Sequence, residues 1–367
     1  MLHALIMAGG SGTRFWPASR RALPKQLLPL ADDRTMIRAT VDRLSGLVPS
    51  ERTWLAVGQS LVPAIQAELP EIAARQYIAE PLQRNTAPCI GLAALRMLRD
   101  DPEAVMVVMP SDHVIRDTAA FHKAVTLANQ LAAKPRSQIV TFGIKPTYPS
   151  EGFGYIERGE TITPPQGQFK ALTAELDVYQ VVRFREKPQL EQAKEFVASG
   201  KFYWNSGMFV WRADVVVDAL REHQPQLLQH LETIAAALDT PAYADVLDRE
   251  FRAAPSISID YAVMEHAKGV IVIEAPFDWD DVGSWQSIAR LRGSDAAGNT
   301  IVGKHLGLDT TDTIVRTDDD HLVVTLGLKN CIVVHTPDAT LVADKNDEES
   351  IRKLVKLLEE RGWEGHL

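Results

Sequence analysis

The run Ala8-Gly9-Gly10-Ser11-Gly12-Thr13-Arg14 follows the apolar stretch Leu5-Ile6-Met7. Its glycines let the backbone approach a ligand closely, and successive N–H groups can form a nest for an anion. The run is not a P-loop, because no Gly-Lys-Ser/Thr follows. It is not GxGxxG either, because Phe15 stands where the last glycine would be. Taken alone, these glycines would equally serve a tight strand-to-helix turn. The surrounding charge favours a ligand. The first 31 residues hold Arg14, Arg20, Arg21 and Lys25 and no Asp or Glu. A cationic cluster beside a glycine nest points to polyphosphate.

A second group is Met109-Pro110-Ser111-Asp112-His113, behind the apolar run Val105-Met106-Val107-Val108-Met109. A carboxylate just past a strand end projects toward the ligand crevice of an open sheet. One or two carboxylates plus substrate phosphates are the usual way to hold Mg2+. Asp112 would otherwise cap a helix or form a turn. No histidines pair at metal-ligand spacing, so no histidine metal site is expected. Five weaker clusters remain. Glu80-Pro81-Leu82-Gln83-Arg84-Asn85-Thr86-Ala87-Pro88 mixes amide, guanidinium and hydroxyl at a helix start, which suits the edge of a base. Gly152-Phe153-Gly154-Tyr155 and Trp204-Asn205-Ser206-Gly207-Met208 read as polar turns flanked by aromatics, which suits a sugar. Glu186-Lys187-Pro188 sets an acid beside a cation, and Ile259-Asp260-Tyr261 offers a further carboxylate.

Strand-like and helical patterns alternate ahead of about Arg292, through Trp54–Val57, Tyr77–Ala79, Val105–Met109, Phe121–Leu131 and Ile139–Phe142. This rhythm predicts an α/β fold with an open, Rossmann-like, mostly parallel sheet covered by helices on both sides. Thr86 is the expected cap of the helix carrying Ile90, Ala94, Met97 and Leu98, with Pro88 in its first turn. Beyond the turn-rich stretch Gly293–Asn299 come short β pieces and no helix until Glu348 to Arg361, where Ile351, Leu354, Val355 and Leu358 share one face. The β pieces suit a small solenoid or sandwich. Two domains are expected, 1–292 and 293–367, the second gaining from pairing with another copy, so a homodimer is expected.

The composition is that of a globular chain: 367 residues, 46% hydrophobic, 24% charged and a net charge of −9. The acidic balance argues against broad binding to nucleic acid or to an anionic membrane. No stretch approaches the roughly 18 apolar residues of a membrane span. The first residues lack the basic region of a signal peptide. Cys89 and Cys331 are far apart and form no CxxC, so reduced thiols and a cytoplasmic location are expected.

In order along the chain, these pieces resemble the sugar-nucleotide pyrophosphorylases. The resemblance rests on Gly9-Gly10-Ser11-Gly12-Thr13-Arg14-Phe15-Trp16-Pro17 with Pro24-Lys25-Gln26, on Pro110-Ser111-Asp112-His113, and on Thr141-Phe142-Gly143-Ile144. It continues through Phe153-Gly154-Tyr155-Ile156, Glu186-Lys187-Pro188, Trp204–Phe209, Ser258–Tyr261 and Trp279–Trp285. Glu80-Pro81 with Arg84-Asn85-Thr86-Ala87-Pro88 narrows it to the mannose-1-phosphate guanylyltransferases of the short, single-function bacterial type. The resemblance covers about residues 3 to 285 and, more loosely, a short C-terminal β-helix-like domain.

What the resemblance implies is a nucleotidyltransferase (GT-A-like) fold that joins GTP and mannose 1-phosphate into GDP-mannose and diphosphate, with Mg2+. Backbone groups of Gly9, Gly10, Ser11, Gly12 and Thr13 would hold the nucleotide phosphates, and Arg14 and Lys25 the leaving diphosphate. Asn85, Thr86 and Ala87, with Glu80, would read guanine. Asp112 and Asp260 would hold the metal. Gly154, Glu186, Asn205 and Gly207 would position the sugar, with Lys187 on its phosphate, while Asp280 and Asp281 would shape a loop or support the contact residues from behind. Two departures stand out: Phe15 replaces a common leucine, and Ser150-Glu151 precedes Gly152 where an acid and threonine are usual. Transfer to a heptose or glucose phosphate, or a silent sugar-nucleotide-binding regulator, are the alternatives. Asp318-Asp319-Asp320 spells a glycosyltransferase-like DxD but falls in the β-rich tail and reads as a turn. Longer relatives append an isomerase barrel, for which 367 residues leave no expected room.

Overall fold

The structure is a computed structural model and describes residues 1–10, 12–133, 138–162, 175–318 and 320–367. Ser11, expected among the phosphate-binding residues, and Asp319 of the Asp-rich turn lie outside the described residues. In chain order the first elements are β1 (Leu2–Ala8), α1 (Met36–Asp42), β2 (Thr53–Gly58), α2 (Val62–Glu68), β3 (Tyr77–Glu80), α3 (Thr86–Asp100), β4 (Val105–Pro110) and α4 (Thr118–Ala133). Next come β5 (Ile139–Ile144), β6 (Tyr155–Thr161), β7 (Val178–Arg185), α5 (Leu190–Ser199), β8 (Phe202–Arg212), α6 (Ala213–His223), α7 (Pro225–Ala236), α8 (Tyr243–Ala253), β9 (Val270–Glu274) and α9 (Trp285–Arg292). The last are β10 (Thr300–Val302), β11 (Lys304–Leu308), β12 (Ile314–Thr317), β13 (Leu322–Leu326), β14 (Cys331–Thr336), β15 (Ala339–Asp344) and α10 (Ile351–Glu360).

The residues group into two compact units that do not follow a single cut in the chain. One comprises Met1–Gly9, Arg43–Pro110 and Ile115–Trp279; the other comprises Gly10–Asp42, Ser111–Val114 and Asp280–Leu367. The chain leaves the first unit one residue after β1 and directly after β4.

In the first unit, nine strands form one sheet in the order β3-β2-β1-β4-β8-β5-β9-β7-β6. The run β3-β2-β1-β4 is parallel. Val105–Met109 is buried throughout, as an unbroken apolar strand between two helical layers must be. Beyond β4 the sheet is mixed. β8 runs antiparallel to both β4 and β5, and β7 antiparallel to both β6 and β9. The parallel arrangement therefore holds for β3-β2-β1-β4, while beyond it long-range antiparallel pairs stand beside the parallel pair β5–β9. The core gathers Leu5, Ile78, Ile90, Met97, Val108, Trp211, Leu220, Leu231 and Phe251 from the sheet and helices.

In the second unit, β10, β12 and β14 pair in parallel with β15 antiparallel at the edge, and β11 pairs in parallel with β13. Successive parallel rungs without intervening helices make this piece β-helix-like rather than a sandwich. Its core joins Ile314, Ile332, Val334, Leu341 and Ile351 to Trp285, Ile288, Phe15, Ala18 and Leu28. Phe15 and Trp285 meet edge-on at 5.1 Å. The rear of the glycine-rich segment is thus built into the core of the β-helix-like piece.

Candidate active site

The candidate residues fall into two constellations, one in each unit. In the second unit, Gly12 adopts φ 63, a left-handed value that disfavours a side chain. A Cβ there would stand 2.4 Å from the Cβ of Lys25. Gly12 O accepts from Ser19 Oγ at 2.7 Å and from Phe15 N at 2.9 Å, so the turn Thr13–Phe15 is closed tightly behind the glycines. The Lys25 side chain is 8% exposed. Its Nζ donates to Asp112 Oδ2 at 2.7 Å and to Asp281 O at 2.8 Å. Burial works against the Asp112 carboxylate, but the charges of Lys25 and His113 outweigh it and hold its pKa below the ordinary value. Burial raises the Asp281 carboxyl, against the opposing pull of Lys25.

Arg14 Nη1 donates to Gly283 O at 2.7 Å. Asp280 shapes this loop, accepting from Val282 N at 2.7 Å while paired with Arg290 at 2.7 Å. That is the loop-forming part expected of Asp280. Asp281 contributes its backbone carbonyl to Lys25, a role that sequence spacing did not indicate. Arg20 and Arg21 depart from the expected free cationic cluster. Arg20 pairs with Asp338 at 2.8 Å, and Arg21 with Glu359 and with Glu364, the latter at 2.9 Å. Their acids lie more than 300 residues away, where local charge counting does not see them.

In the first unit, Glu80 ends β3 and is 5% exposed. Burial alone pushes its carboxyl up to about 7. Gly9 follows β1 on the same edge, and its O accepts from the Gln83 amide. The helix cap is Asn85 rather than Thr86: Asn85 sits at φ 65 and its Oδ1 accepts from Thr86 N at 3.0 Å. With ψ −163 this backbone is strained for any side chain, and the cap bond is made by the Asn85 amide oxygen. Thr86 Oγ1 instead accepts from Ile259 N at 2.8 Å, and Ala87 N donates to Ile257 O at 3.1 Å. The two segments are thereby stitched together next to Asp260.

Asp260 opens a short π-turn. Burial, together with the nearby Glu186 charge, raises its carboxyl to about 6, while Asn205 Nδ2 donates to it at 2.9 Å. Asn205 N in turn donates to Gly154 O at 2.8 Å, and Asn205 Oδ1 accepts from Gly207 N at 3.2 Å. A Cβ on Gly154 would stand 2.5 Å from Glu186 Oε2. Glu186 also pairs with the exposed Lys187 at 2.9 Å. Gly154, Glu186, Asn205, Gly207 and Asp260 therefore form one connected polar cluster. Its flank is aromatic, with Phe153 against Trp204 at 4.9 Å and against Trp279 at 5.5 Å.

The expected turn Trp204–Met208 is in fact the middle of β8. Pairing with β4, β5 and β6 overrides its weak local preference, and Gly207 at φ 67 puts the irregularity inside the strand. Among the described residues, no three His, Cys, Asp or Glu side chains gather in a metal-holding arrangement. No helix of the described residues is long and apolar enough to cross a membrane.

The nucleotidyl transferase family model matches residues 3–297, and a MannoseP isomerase/GMP-like beta-helix domain model matches residues 303–358. A mannose-1-phosphate guanylyltransferase of Escherichia coli (strain K12) is 38% identical over 369 residues, covering 100% of this chain and 75% of that protein. The mannose-1-phosphate guanylyltransferase RfbM of Salmonella typhimurium is 37% identical, covering 96% of this chain and 72% of that protein. A crystal structure from Thermus thermophilus, described as mannose-1-phosphate geranyltransferase, superposes with a TM-score of 0.84 at 33% identity. It covers 98% of this chain and 99% of that one.

Proposed function

The chain belongs to the nucleotidyl transferase family and, within it, to the mannose-1-phosphate guanylyltransferases, and from that membership we infer that it converts GTP and mannose 1-phosphate into GDP-mannose and diphosphate. The observation that carries the reading onto this chain's residues is the buried Lys25, set against Asp112 behind the glycine turn. A phosphate oxygen of the sugar phosphate attacks the α-phosphorus of GTP. The new O–P bond forms as the bond from the α-phosphorus to the β-phosphate oxygen breaks, and diphosphate leaves. The attacking phosphate is already ionised at neutral pH, so no side chain has to remove a proton. Positioning and charge neutralisation are the remaining tasks.

The backbone of Gly9, Gly10, Ser11, Gly12 and Thr13 takes the nucleotide phosphates, and Lys25 and Arg14 take the charge that develops on the leaving diphosphate. Glu80 and Asn85 read the guanine edge, with Thr86 and Ala87 fixing the turn that presents them. Gly154, Glu186, Asn205 and Gly207 seat the sugar, and Lys187 meets its phosphate. By the resemblance, Asp112 of one unit and Asp260 of the other would be carboxylates for a magnesium ion, which commonly uses one or two carboxylates and completes its shell with phosphate oxygens and water. Such an ion would supply charge neutralisation to the phosphates. A panel of nucleoside triphosphates and sugar 1-phosphates, assayed for diphosphate release, tests the reading. Turnover confined to GTP with mannose 1-phosphate supports it; turnover only with a heptose or glucose phosphate overturns the sugar assignment.

Glu80 gives a pH dependence. Guanine offers two N–H donors on one edge, which an ionised carboxylate accepts and a protonated one does not. With its carboxyl raised to about 7, Glu80 takes up a proton as pH falls through that value. KM for GTP is therefore expected to rise up to about tenfold per pH unit below it, while KM for mannose 1-phosphate stays level. Initial-rate measurements from pH 5.5 to 8.5, with Glu80→Gln as the pH-flat control, check this. The effect on stability has the opposite sense. Between the ordinary value of 4.5 and about 7 the folded chain holds a proton that the unfolded chain has lost, so this group's contribution to stability falls as pH rises through that window.

The exposed face of β11 and β13 supports a homodimer. Leu306 and Leu308 stand in register beside Val324 and Leu326, and each is more than 60% exposed. The inner face is polar instead, with His305 to Thr325 at 2.8 Å and Thr325 to Thr310 at 2.7 Å. A strand pair with apolar residues outward and polar residues inward is inverted for a water-facing surface. A second copy presenting the same patch covers it isologously. Light scattering is expected to give a dimer, and Leu308→Lys with Leu326→Lys a monomer. A monomeric parent chain would contradict the assignment.

A further inference from the structure

The cations of the glycine-rich segment are held by acids of their own unit, and three of them by the C-terminal segment. Arg20 and Arg21 are anchored by Asp338, Glu359 and Glu364, and Trp16 Nε1 donates to His366 O at 2.8 Å. These contacts fix the rear of the segment. Arg14 differs from them. One end of its guanidinium is locked, because Nη1 donates to Gly283 O at 2.7 Å. Gly283 follows Val282 at φ 48, and a Cβ on it would stand 2.9 Å from Asp281 Oδ2. At the other end, Arg14 Nε is buried without a hydrogen-bond partner, 3.3 Å from Glu349 Oε1. The pair attracts by charge but is not closed as a hydrogen bond. Glu349 is 66% exposed and has a second cation in reach, Arg352 at 3.9 Å.

We propose that Glu349 is a placeholder anion for Arg14, keeping the guanidinium poised at the phosphate-binding turn and yielding it to a phosphate oxygen of the nucleotide or of diphosphate. This rests on the reading of Gly9–Arg14 as the phosphate-binding segment. An exposed carboxylate held without a hydrogen bond is a weak partner. A phosphate group, with several acceptor oxygens and more charge, takes the same donors in charge-assisted hydrogen bonds and displaces it. Glu349 is in this account a positioning residue and a competitor at once. Its removal tightens diphosphate binding instead of loosening it, which a merely structural acid would not do.

The test is calorimetric titration of diphosphate, with magnesium present, into the full chain, into Glu349→Gln and into Glu359→Gln, whose acid pairs with Arg21. Glu349→Gln is expected to bind diphosphate about fivefold more tightly, the equivalent of roughly 1 kcal/mol for an exposed ion pair. Its KM for diphosphate in the reverse reaction falls in step, with KM for GDP-mannose unchanged. Glu359→Gln is expected to match the parent chain. Equal or weaker binding by Glu349→Gln overturns the proposal, as does equal tightening in Glu359→Gln, which would mark a diffuse charge effect. Failure of the parent chain itself to bind diphosphate overturns the phosphate-binding reading, and this proposal with it.

Discussion

Replacing Lys25 with glutamine is expected to lower kcat by about 10²–10³, the usual cost of losing one preorganised donor at a site of developing charge. The side chain is 8% exposed, so its ammonium works where water does not screen it, and it is aimed by Asp112 at 2.7 Å and by Asp281 O at 2.8 Å. Glutamine keeps most of the volume and a donor for one acceptor, but not the charge. The loss therefore falls on the step in which diphosphate takes up negative charge. Quench-flow measurement of the first turnover checks this: the chemical step slows, while the affinity for mannose 1-phosphate stays near that of the parent chain. Arginine is not expected to rescue it. The longer, planar fork does not place one donor centre where the ammonium meets both Asp112 Oδ2 and Asp281 O. The Asp112 carboxyl, deprived of its main counter-charge, should titrate higher in the variant, which NMR of the carboxyl carbon would detect.

Gly154→Ala is expected to raise KM for mannose 1-phosphate by about 10² and leave GTP binding within a factor of about two, because a misplacement near 1 Å can cost 10²-fold in a positioned site. The added methyl would stand 2.5 Å from Glu186 Oε2 and 3.4 Å from the Asn205 Cβ. Glu186 must swing away, and with it goes the cluster that runs through Asn205 to Asp260. A folding defect would show as a lowered melting temperature; a site defect leaves it unchanged. Initial-rate kinetics with each substrate varied in turn, alongside thermal unfolding, separate the two. A uniform rise in both KM values would contradict the assignment of this cluster to the sugar.

Much of this was legible in the sequence because the informative residues are contiguous. The glycines, Thr13 and Arg14 follow one another in sequence right after β1, and the apolar run Val105–Met109 marks a strand covered on both faces whatever surrounds it. Pairing across long separations was not legible. Lys25 finds Asp112 and Asp281, and Arg20 and Arg21 find acids beyond residue 337, only because the second unit is assembled from three chain segments. The stretch Trp204–Met208 read as a turn because Asn, Ser and Gly dominate it locally. Its neighbours in the sheet make it a strand, and the strand in turn aims Asn205 at Asp260. The cap is Asn85 and not Thr86 because the Thr86 hydroxyl is taken by Ile259 N, a partner 173 residues away that local reading does not see. Glu349 gave no local signal at all, since one exposed acid before a helix resembles many others.

The central claim is that the sugar phosphate itself attacks the α-phosphorus of GTP on this chain. The most direct measurement incubates the protein with GTP, magnesium and mannose 1-phosphate carrying 18O in its phosphate oxygens, then weighs both products by mass spectrometry. The account expects all of the label in GDP-mannose and none in diphosphate. Label in diphosphate, or GDP-mannose that has lost the label to solvent, would contradict it.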